Sequence, residues 1–550
     1  MEIKASYDVA IVGSGIAGAT LAAVLARHNV NTLVIDAGAH PKFAIGESMI
    51  PATSFFMRAI SERYDVPELL HCSTLPLVRE NIASSAGIKR NFSFVYHREG
   101  ESQNPNEMTQ LPVPNIPYGP EAHLYRQDTD AYLHAISVRH GADVKQRTFI
   151  KDLHFEEHRV VIETTQGNFE AKYIVDASGM NSVLAKKLNL REEPTRMQSN
   201  SRSIFTHMID VIPYDQFYEA GEVALPSPLH KGTLHHIFDG GWLWVIPFNN
   251  HDQATNPLCS VGLQLDLKKY PKNPDLSAEE EFWAFMEKFP DIKKQFAAAK
   301  PVREWVATDR LQYSAGSVIG ERYCLMAHAA SFIEPLFSRG LAITSETIFS
   351  LAQRLIDATK ENDFSPERFS RVADIIQNSF DTNDRLVRCS YIAFKDFNLW
   401  NAWYRIWALG QAFTSLRLTQ VLSKYYKTKD KAELMQLENI PYVGSLCVDL
   451  PEYQELFDKV TAIVEAVGRG EQSVDEAVDQ IYRIYGECDF IPDHYQFLNA
   501  ERHFISKMDS RSLLEVVTWG VNEGPERLRP LYFDNADALV AKPKKPAVEV

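Results

Sequence analysis

The chain has 550 residues, of which 45% are hydrophobic and 23% charged, and its formal net charge is -15. That length can bury a large core and implies more than one domain, or one large domain with a cap. The acidic balance argues against nucleic acid as a ligand, because binding a phosphate backbone needs a basic surface.

In chain order, Met1 to Ser6 lacks the organisation of a signal peptide. Tyr7–Val12 is a short apolar, β-branched run that predicts a strand, followed by the turn Gly13-Ser14-Gly15-Ile16-Ala17-Gly18. Ala19–Arg27 reads as a helix, and Thr32–Ile35 as a second buried strand ending at Asp36. Such a β-α-β unit implies a parallel sheet and a dinucleotide site. Gly13 permits the tight turn, Gly15 lets backbone approach a pyrophosphate, and Gly18 lets helix and strand pack closely. The helix N-terminus at Ile16 and Ala17 offers N–H groups and partial positive charge to phosphates. Asp36 is placed to accept hydrogen bonds from a ribose, or else is a polar strand end.

Lys89–His97 alternates polar and apolar residues and predicts a half-buried strand. Arg98 to Glu121, rich in Pro, Asn and Glu, predicts a long loop. Thr129–Arg139 has helical spacing, Thr148–Asp176 reads as several short strands, and Leu234–Tyr270 as a meander of strands. Within that meander Trp242 and Trp244 stand two apart, so their indoles share one face. From about Ile343 the pattern is mostly helical. Tyr391–Phe413 carries Phe394, Phe397, Trp400, Trp403, Tyr404 and Trp407, a stripe expected to pack in the core rather than to line a substrate wall. The tail Ala541–Val550, rich in Lys and Pro, is expected to be disordered. No apolar run reaches the roughly 20 residues that span a bilayer. The six cysteines show no CxxC pair or ligand spacing, which predicts reduced thiols, a cytoplasmic location and no metal site.

Three elements, the glycine turn, Trp242-Leu243-Trp244-Val245-Ile246-Pro247 and Phe332-Ile333-Glu334-Pro335-Leu336-Phe337-Ser338-Arg339-Gly340-Leu341, together resemble the signatures of flavin-dependent halogenases. The resemblance covers roughly residues 5–350. It implies an α/β fold: a glutathione-reductase-like, Rossmann-type FAD module with an interleaved substrate β-sheet over 1–345, a helical region over 346–540, and the tail 541–550. Ile174-Val175-Asp176-Ala177-Ser178-Gly179, Gly46-Glu47-Ser48 and Arg126 resemble the FAD-contacting segments of that superfamily. Pro335, Gly340 and Leu341 would lie beside the flavin ring, and Ser338, Arg339 and Gly340 would hold the halide.

Lys89, in Gly87-Ile88-Lys89-Arg90-Asn91-Phe92, matches the family's lysine at the edge of the substrate cavity, with Phe92 near it. A partly desolvated ammonium there would hydrogen-bond hypohalous acid, or the free amine would form a haloamine. The implied enzyme of secondary metabolism uses FAD as FADH2, O2, and chloride or bromide to halogenate an electron-rich aromatic ring. Trp242 and Trp244 would keep flavin and ring apart. No second glycine fingerprint appears, so a separate flavin reductase, or transiently bound NAD(P)H, would supply the electrons. Phe337 stands where tryptophan-directed members carry a glutamate, and Lys89 with Phe92 resembles phenolic members. The expected substrate is therefore a small phenol, free or borne on a peptide or carrier protein. The general base stays open among Glu346, His123 and the aromatic helices. Two positions depart from the family pattern. Ala327-His328-Ala329 replaces Gly-Asp-Ala, where His328 could still hydrogen-bond the cofactor, and Arg339 replaces Ser or Thr, where it would attract halide or obstruct the cavity. An FAD-dependent aromatic monooxygenase and a degenerate flavin-binding scaffold are the alternative readings.

Overall fold

The apolar run at Tyr7–Val12 is the inner half of strand β1 (Ile3–Val12) in a computed structural model that describes residues 3–113, 119–217, 225–504 and 510–534. The tail expected to be disordered lies outside the described residues. Helix α1 (Ile16–Arg27) and strand β2 (Thr32–Ile35) complete the expected β-α-β unit. Then come α2 (Pro51–Tyr64), β3 (Gly87–Lys89), β4 (Asn91–Tyr96), β5 (Met108–Pro112), β6 (Glu121–His123) and α3 (Arg126–Arg139). β7 (Asp143–Lys145), β8 (Ile150–Phe155), β9 (Val160–Thr164) and β10 (Gly167–Asp176) follow. The remaining main strands are β11 (Ser201–Ile209), β12 (Thr233–Phe238), β13 (Gly241–Pro247), β14 (Cys259–Asp266) and β15 (Tyr323–Leu325).

The first sheet runs β15-β10-β1-β2-β7 with every pair parallel, and the hairpin β8–β9 joins it through β10. Its central strands are buried on both faces, which is why they read as unbroken apolar runs rather than alternating ones. The second sheet has the order β11-β14-β13-β12-β4-β5 and is antiparallel except between β12 and β4. β3 and β6 pair by themselves.

Two expectations are corrected here. The long loop from Arg98 to Glu121 contains β5, whose Met-Thr-Gln-Leu-Pro run pairs with β4 between polar flanks that masked it. The strand expected over Lys89–His97 breaks at Arg90, whose N–H donates to the Lys231 carbonyl (2.7 Å) and whose own carbonyl accepts from Val113 (2.8 Å). β4 is also buried throughout rather than half-buried, because it lies inside its sheet and is covered by a helix.

The helical part comprises α4 (Gly340–Glu361), α5 (Ser370–Ala393), α6 (Phe397–Thr428), α7 (Pro451–Arg469) and α8 (Val474–Gly486). Asp396 caps α6, accepting from Asn398 (2.8 Å) and Leu399 (3.2 Å) N–H groups. α6 is buried along most of its length, including the polar side chains of Asn401, Arg405 and Gln420, so it is enclosed by protein. Its aromatic stripe is core, as expected, and two of its three indole N–H groups are matched, whereas that of Trp407 is buried without a partner. Trp400 donates to Thr109 and Trp403 to Ser390, each at 3.0 Å. One hydrophobic cluster runs from Tyr7 on β1 to Phe533 near the other end, so the sheets and helices share a core. Among the described residues no helix is long and apolar enough to cross a membrane, and no cluster of metal-ligating side chains occurs. All six cysteines are free.

Candidate active site

At the nucleotide end, the glycine roles have direct steric causes. Gly13 has φ +98°, and a Cβ there would lie 2.7 Å from the Ala177 carbonyl oxygen. A Cβ on Gly18 would lie 1.9 Å from the Gly13 oxygen. Gly15 N-caps α1 without any side-chain cap, which leaves the first-turn N–H groups at Ile16, Ala17 and Gly18 for an anion. Ala177 donates its N–H to Val12 (2.8 Å), and Gly179 has φ +63° with open space beside it, so both stand at the same strand end.

The two carboxylates expected nearby serve their own chain. Asp36 accepts from the Ser14 N–H (2.7 Å) and hydroxyl (2.6 Å), from the Gly38 N–H (2.7 Å), and from the Lys42 ammonium. Burial pushes it up, but Lys42 and Ser14 outweigh burial and hold it at about 2. A ribose would have to share these acceptor oxygens. Asp176 accepts from the Ser178 N–H (2.9 Å) and hydroxyl (2.6 Å) and from the Leu184 N–H (2.7 Å), so it secures the turn after β10.

A second cradle forms around Gly46, where φ is +93°. Arg126 binds Asp130 through two bonds of 2.8 Å and reaches the carbonyls of Ile45 (2.8 Å) and Gly46 (3.1 Å). Glu47 is buried, with one oxygen 2.7 Å from His207 Nε2. Its other oxygen and His207 Nδ1 are buried without a partner, a pair of orphaned polar atoms that a ligand with amide and hydroxyl groups would satisfy. His328 packs against Gly340, where a Cβ would come within 2.9 Å of the imidazole. Burial, then Arg126, lowers His328 to about 4, so it is neutral.

Ser338 is held at φ +51°, an uncommon conformation for a non-glycine residue, after a turn in which its N–H donates to the Pro335 carbonyl (2.9 Å). Arg339 is the N-cap of α4, and Gly340 and Leu341 begin it, so the N–H groups of this segment head a 22-residue helix. That is a general anion-binding arrangement. The Arg339 side chain leaves this point and donates to the Gly444 carbonyl (3.3 Å) in the helical part.

Trp242 and Trp244 share a face of β13 with ring centroids 5.8 Å apart. Opposite Trp244 is Gly262, where a Cβ would be 2.0 Å from the indole; only glycine leaves the ring room. Trp242 donates to Glu334 (2.8 Å), and Glu334 also accepts from Tyr391 (3.0 Å) and Ser201, which ties the indole pair to the 332–341 segment. Burial raises Glu334 to about 7. The His235 ring is 5.4 Å from that of Trp242 and stacks on Phe94 (4.6 Å) and Phe92 (5.5 Å). Trp407 of α6 lies 5.2 Å from Phe92 and 4.9 Å from Phe337.

Lys89 ends this aromatic chain, its Nζ 3.5 Å from the centre of the Phe92 ring. It is fully buried, not at a cavity edge: β3 and the surrounding rings enclose it. It donates to Ser48 Oγ (2.7 Å) and to the Met49 carbonyl. Ser48, expected at the cofactor, thus holds the lysine. Ser48 meets Thr233 (2.8 Å), Thr233 meets His123 Nε2 (3.0 Å), and His123 Nδ1 meets the Pro247 carbonyl (2.9 Å). A carbonyl only accepts, so Nδ1 carries the hydrogen. Burial and then Lys89 keep His123 neutral at about 3, so Nε2 accepts from Thr233. Thr233 then accepts from Ser48, which leaves the Ser48 oxygen to receive the lysine N–H.

Sequence reading missed Glu121. It is the direct cross-strand partner of Lys89 between β3 and β6, and it is buried. One oxygen lies 3.5 Å from the Ser54 hydroxyl, and the other is buried with no partner. Burial pushes Glu121 up to about 8 and Lys89 down to about 7, each opposed by the other's charge. His235, Glu334 and Trp407 were also missed as parts of one site. Glu334 carried a signal as the one carboxylate inside a largely apolar motif, and Trp407 stood in the aromatic stripe that was read as core.

A family profile described as "NAD(P)-binding Rossmann-like domain" matches residues 11–45, and one described as "Tryptophan halogenase" matches residues 93–406. The chain is 44% identical to monodechloroaminopyrrolnitrin halogenase PrnC of Pseudomonas fluorescens, over 96% of this chain and 94% of that one. It is 42% identical to tetracycline 7-halogenase of Kitasatospora aureofaciens, over 97% and 96%. The crystal structure of halogenase PltM in complex with phloroglucinol and FAD superposes with a TM-score of 0.87 at 36% identity, covering 91% of this chain and 99% of that one.

Proposed function

The chain belongs to the tryptophan halogenase family, and from that premise we propose how its residues divide the work of halogenating an aromatic ring. It is a flavin-dependent halogenase, an oxidoreductase that uses FAD as FADH2 with O2 and a halide. When bound, the reduced flavin supplies the activated oxygen that converts halide to hypohalous acid.

The turn at Gly13, Gly15 and Gly18, with Ala177 and Gly179, holds the pyrophosphate; the glycine clearances and the open end of α1 support this. The orphaned oxygen of Glu47 and the Gly46 turn fit the remainder of the cofactor. The N–H groups around Ser338, Arg339, Gly340 and Leu341 hold the halide at the head of α4. Trp242 and Trp244 keep the substrate ring from the flavin, so that oxygen is not inserted directly. Lys89 receives the hypohalous acid, either as an ammonium donating to its oxygen or as an amine. In the second case the nitrogen bonds halogen and releases water; the ring then takes the halogen and gives up a proton, which restores the amine. A group near 7 populates both forms at neutral pH. The observation that carries this reading is the joining of the indole pair and Lys89 through one buried aromatic cluster.

A phenolic substrate, free or carrier-borne, is favoured by the phloroglucinol bound to the 36% identical PltM and by Phe337 beside Trp407. A separate flavin reductase is the partner that a single glycine fingerprint supports. The free cysteines support a cytoplasmic location. The test supplies FAD, NADH, a generic flavin reductase, bromide and a panel of phenols, indoles and pyrroles, with products read by mass spectrometry. Brominated phenol is expected. Hydroxylated product would indicate a monooxygenase, and failure to retain FAD a degenerate scaffold. Lys89→Ala should cut halogenation about 10²-fold or more while flavin oxidation continues.

A further inference from the structure

In the aromatic cluster that leads to Lys89, ring N–H and O–H groups are anchored to oxygens. His235 Nδ1 donates to the Ser93 carbonyl (3.0 Å) and Trp242 to Glu334 (2.8 Å). Trp400 donates to Thr109 (3.0 Å), and Tyr404 to the Gln110 carbonyl (3.1 Å). Trp407 breaks the pattern. It is fully buried, yet its indole N–H has no acceptor. Its ring neighbours are Phe92, Phe94, Phe337 and Tyr404, whose π faces replace an oxygen acceptor only weakly. A buried donor left unpaired is costly, so it points to a partner that arrives with a ligand.

The position of the indole makes that ligand the substrate. One ring, Phe92, separates it from the lysine: the Phe92 centroid is 5.2 Å from that of Trp407 and 3.5 Å from Lys89 Nζ. Lys89, Phe92, Phe337 and Trp407 are each no more than 2% exposed, so a substrate ring reaches the lysine only when a side chain turns aside. Lys89 is tethered by Ser48 and the Met49 carbonyl. Turning Trp407 breaks no hydrogen bond, and it vacates the largest side-chain volume of the four, beside both Phe92 and Phe337.

We propose that Trp407 orients the aromatic substrate: the indole turns from its packed position, the substrate ring takes the space beside Phe92, and the indole N–H donates to the phenolic oxygen. That bond fixes which ring carbon is presented to Lys89. Hydroxyl and phenolate oxygens both accept, so the contact serves either form. The proposal rests on the phenolic reading and adds to it the residue that selects the position of halogenation.

The test uses FAD-loaded, full-length protein and 3-methylphenol, whose ring positions ortho and para to the hydroxyl are all distinct. In protein labelled with nitrogen-15 tryptophan, the indole signal missing from Trp407→Phe identifies Trp407. That signal should move downfield when 3-methylphenol is added to the parent enzyme. With bromide and a flavin reductase, the parent should give an isomer ratio unlike that produced by free hypobromous acid. Trp407→Phe should raise KM for 3-methylphenol about tenfold and shift the ratio toward that of the free acid. Trp407→3-benzothienylalanine keeps the shape of the indole but has sulfur in place of the N–H, and it should do the same. This isosteric variant separates loss of the donor from loss of packing, and it decides the matter if Trp407→Phe fails to fold. An indole signal that stays put, a parent ratio equal to that of the free acid, or an isosteric variant with the parent's KM and ratio would each overturn the assignment. In those cases bromination of 3-methylphenol by the parent leaves the phenolic reading standing. A parent that brominates indoles or pyrroles but no phenol would sink that reading, and the role of Trp407 with it.

Discussion

Lys89 and Glu121 form the most consequential pair of single residues, because each sets the charge state of the other. Desolvation drives both toward neutrality, and their mutual attraction opposes it. In Glu121→Gln the attraction disappears while burial remains, so the Lys89 proton should be released at a lower pH than about 7. Whichever form of the lysine reacts, the limb of the pH–rate profile that it controls should move to lower pH. Bromination rates between pH 5 and 9 would measure this; a limb that stays put or moves up contradicts the coupling. Lys89 was legible from its motif, since a lysine followed by Asn91-Phe92 resembles a known arrangement. Glu121 was not, because its partnership arises from strand register across a segment that reads as loop.

At the scale of elements, β13 shows how a strand can place two large rings without room to spare. The neighbouring strand yields space for Trp244 by having no side chain at Gly262. Gly262→Ala should therefore displace the indole, at an overpacking cost of about 1–3 kcal/mol. Chemical denaturation would read that loss, and the ratio of halogenated product to NADH consumed should fall as the wall shifts. An unchanged ratio would mean that the indole position is unimportant for coupling. Trp242→Phe tests the other ring: Glu334 loses one donor, for which about 1–3 kcal/mol is expected. The alternation of the tryptophans made their common face readable in advance. The strand at Met108–Pro112 and the break at Arg90 were not readable, since both depend on hydrogen bonds to distant segments.

The whole molecule is organised around α6, which belongs to the helical part yet supplies Trp400, Tyr404 and Trp407 to the rings of Phe92 and Phe94. Composition could place that aromatic stripe in a core, but not say that this core also encloses the lysine. Further ties cross between the two parts of the chain. Arg63 donates to Glu438 (2.8 Å) and to the Phe349 carbonyl (3.0 Å), and the Asp384 carboxylate accepts from the N–H groups of Gln198 (2.8 Å) and Ser199 (2.9 Å). With one hydrophobic cluster extending from Tyr7 to Phe533, neither part retains its buried surface if the other opens. Heating should then release FAD and melt the helices in a single step. Flavin fluorescence and far-UV circular dichroism should give the same midpoint, and Trp407→Ala should lower both together by removing about 3–5 kcal/mol. A flavin-loaded sheet module that survives after the helical signal is lost would show that the lysine's enclosure is an addition to the fold rather than part of it.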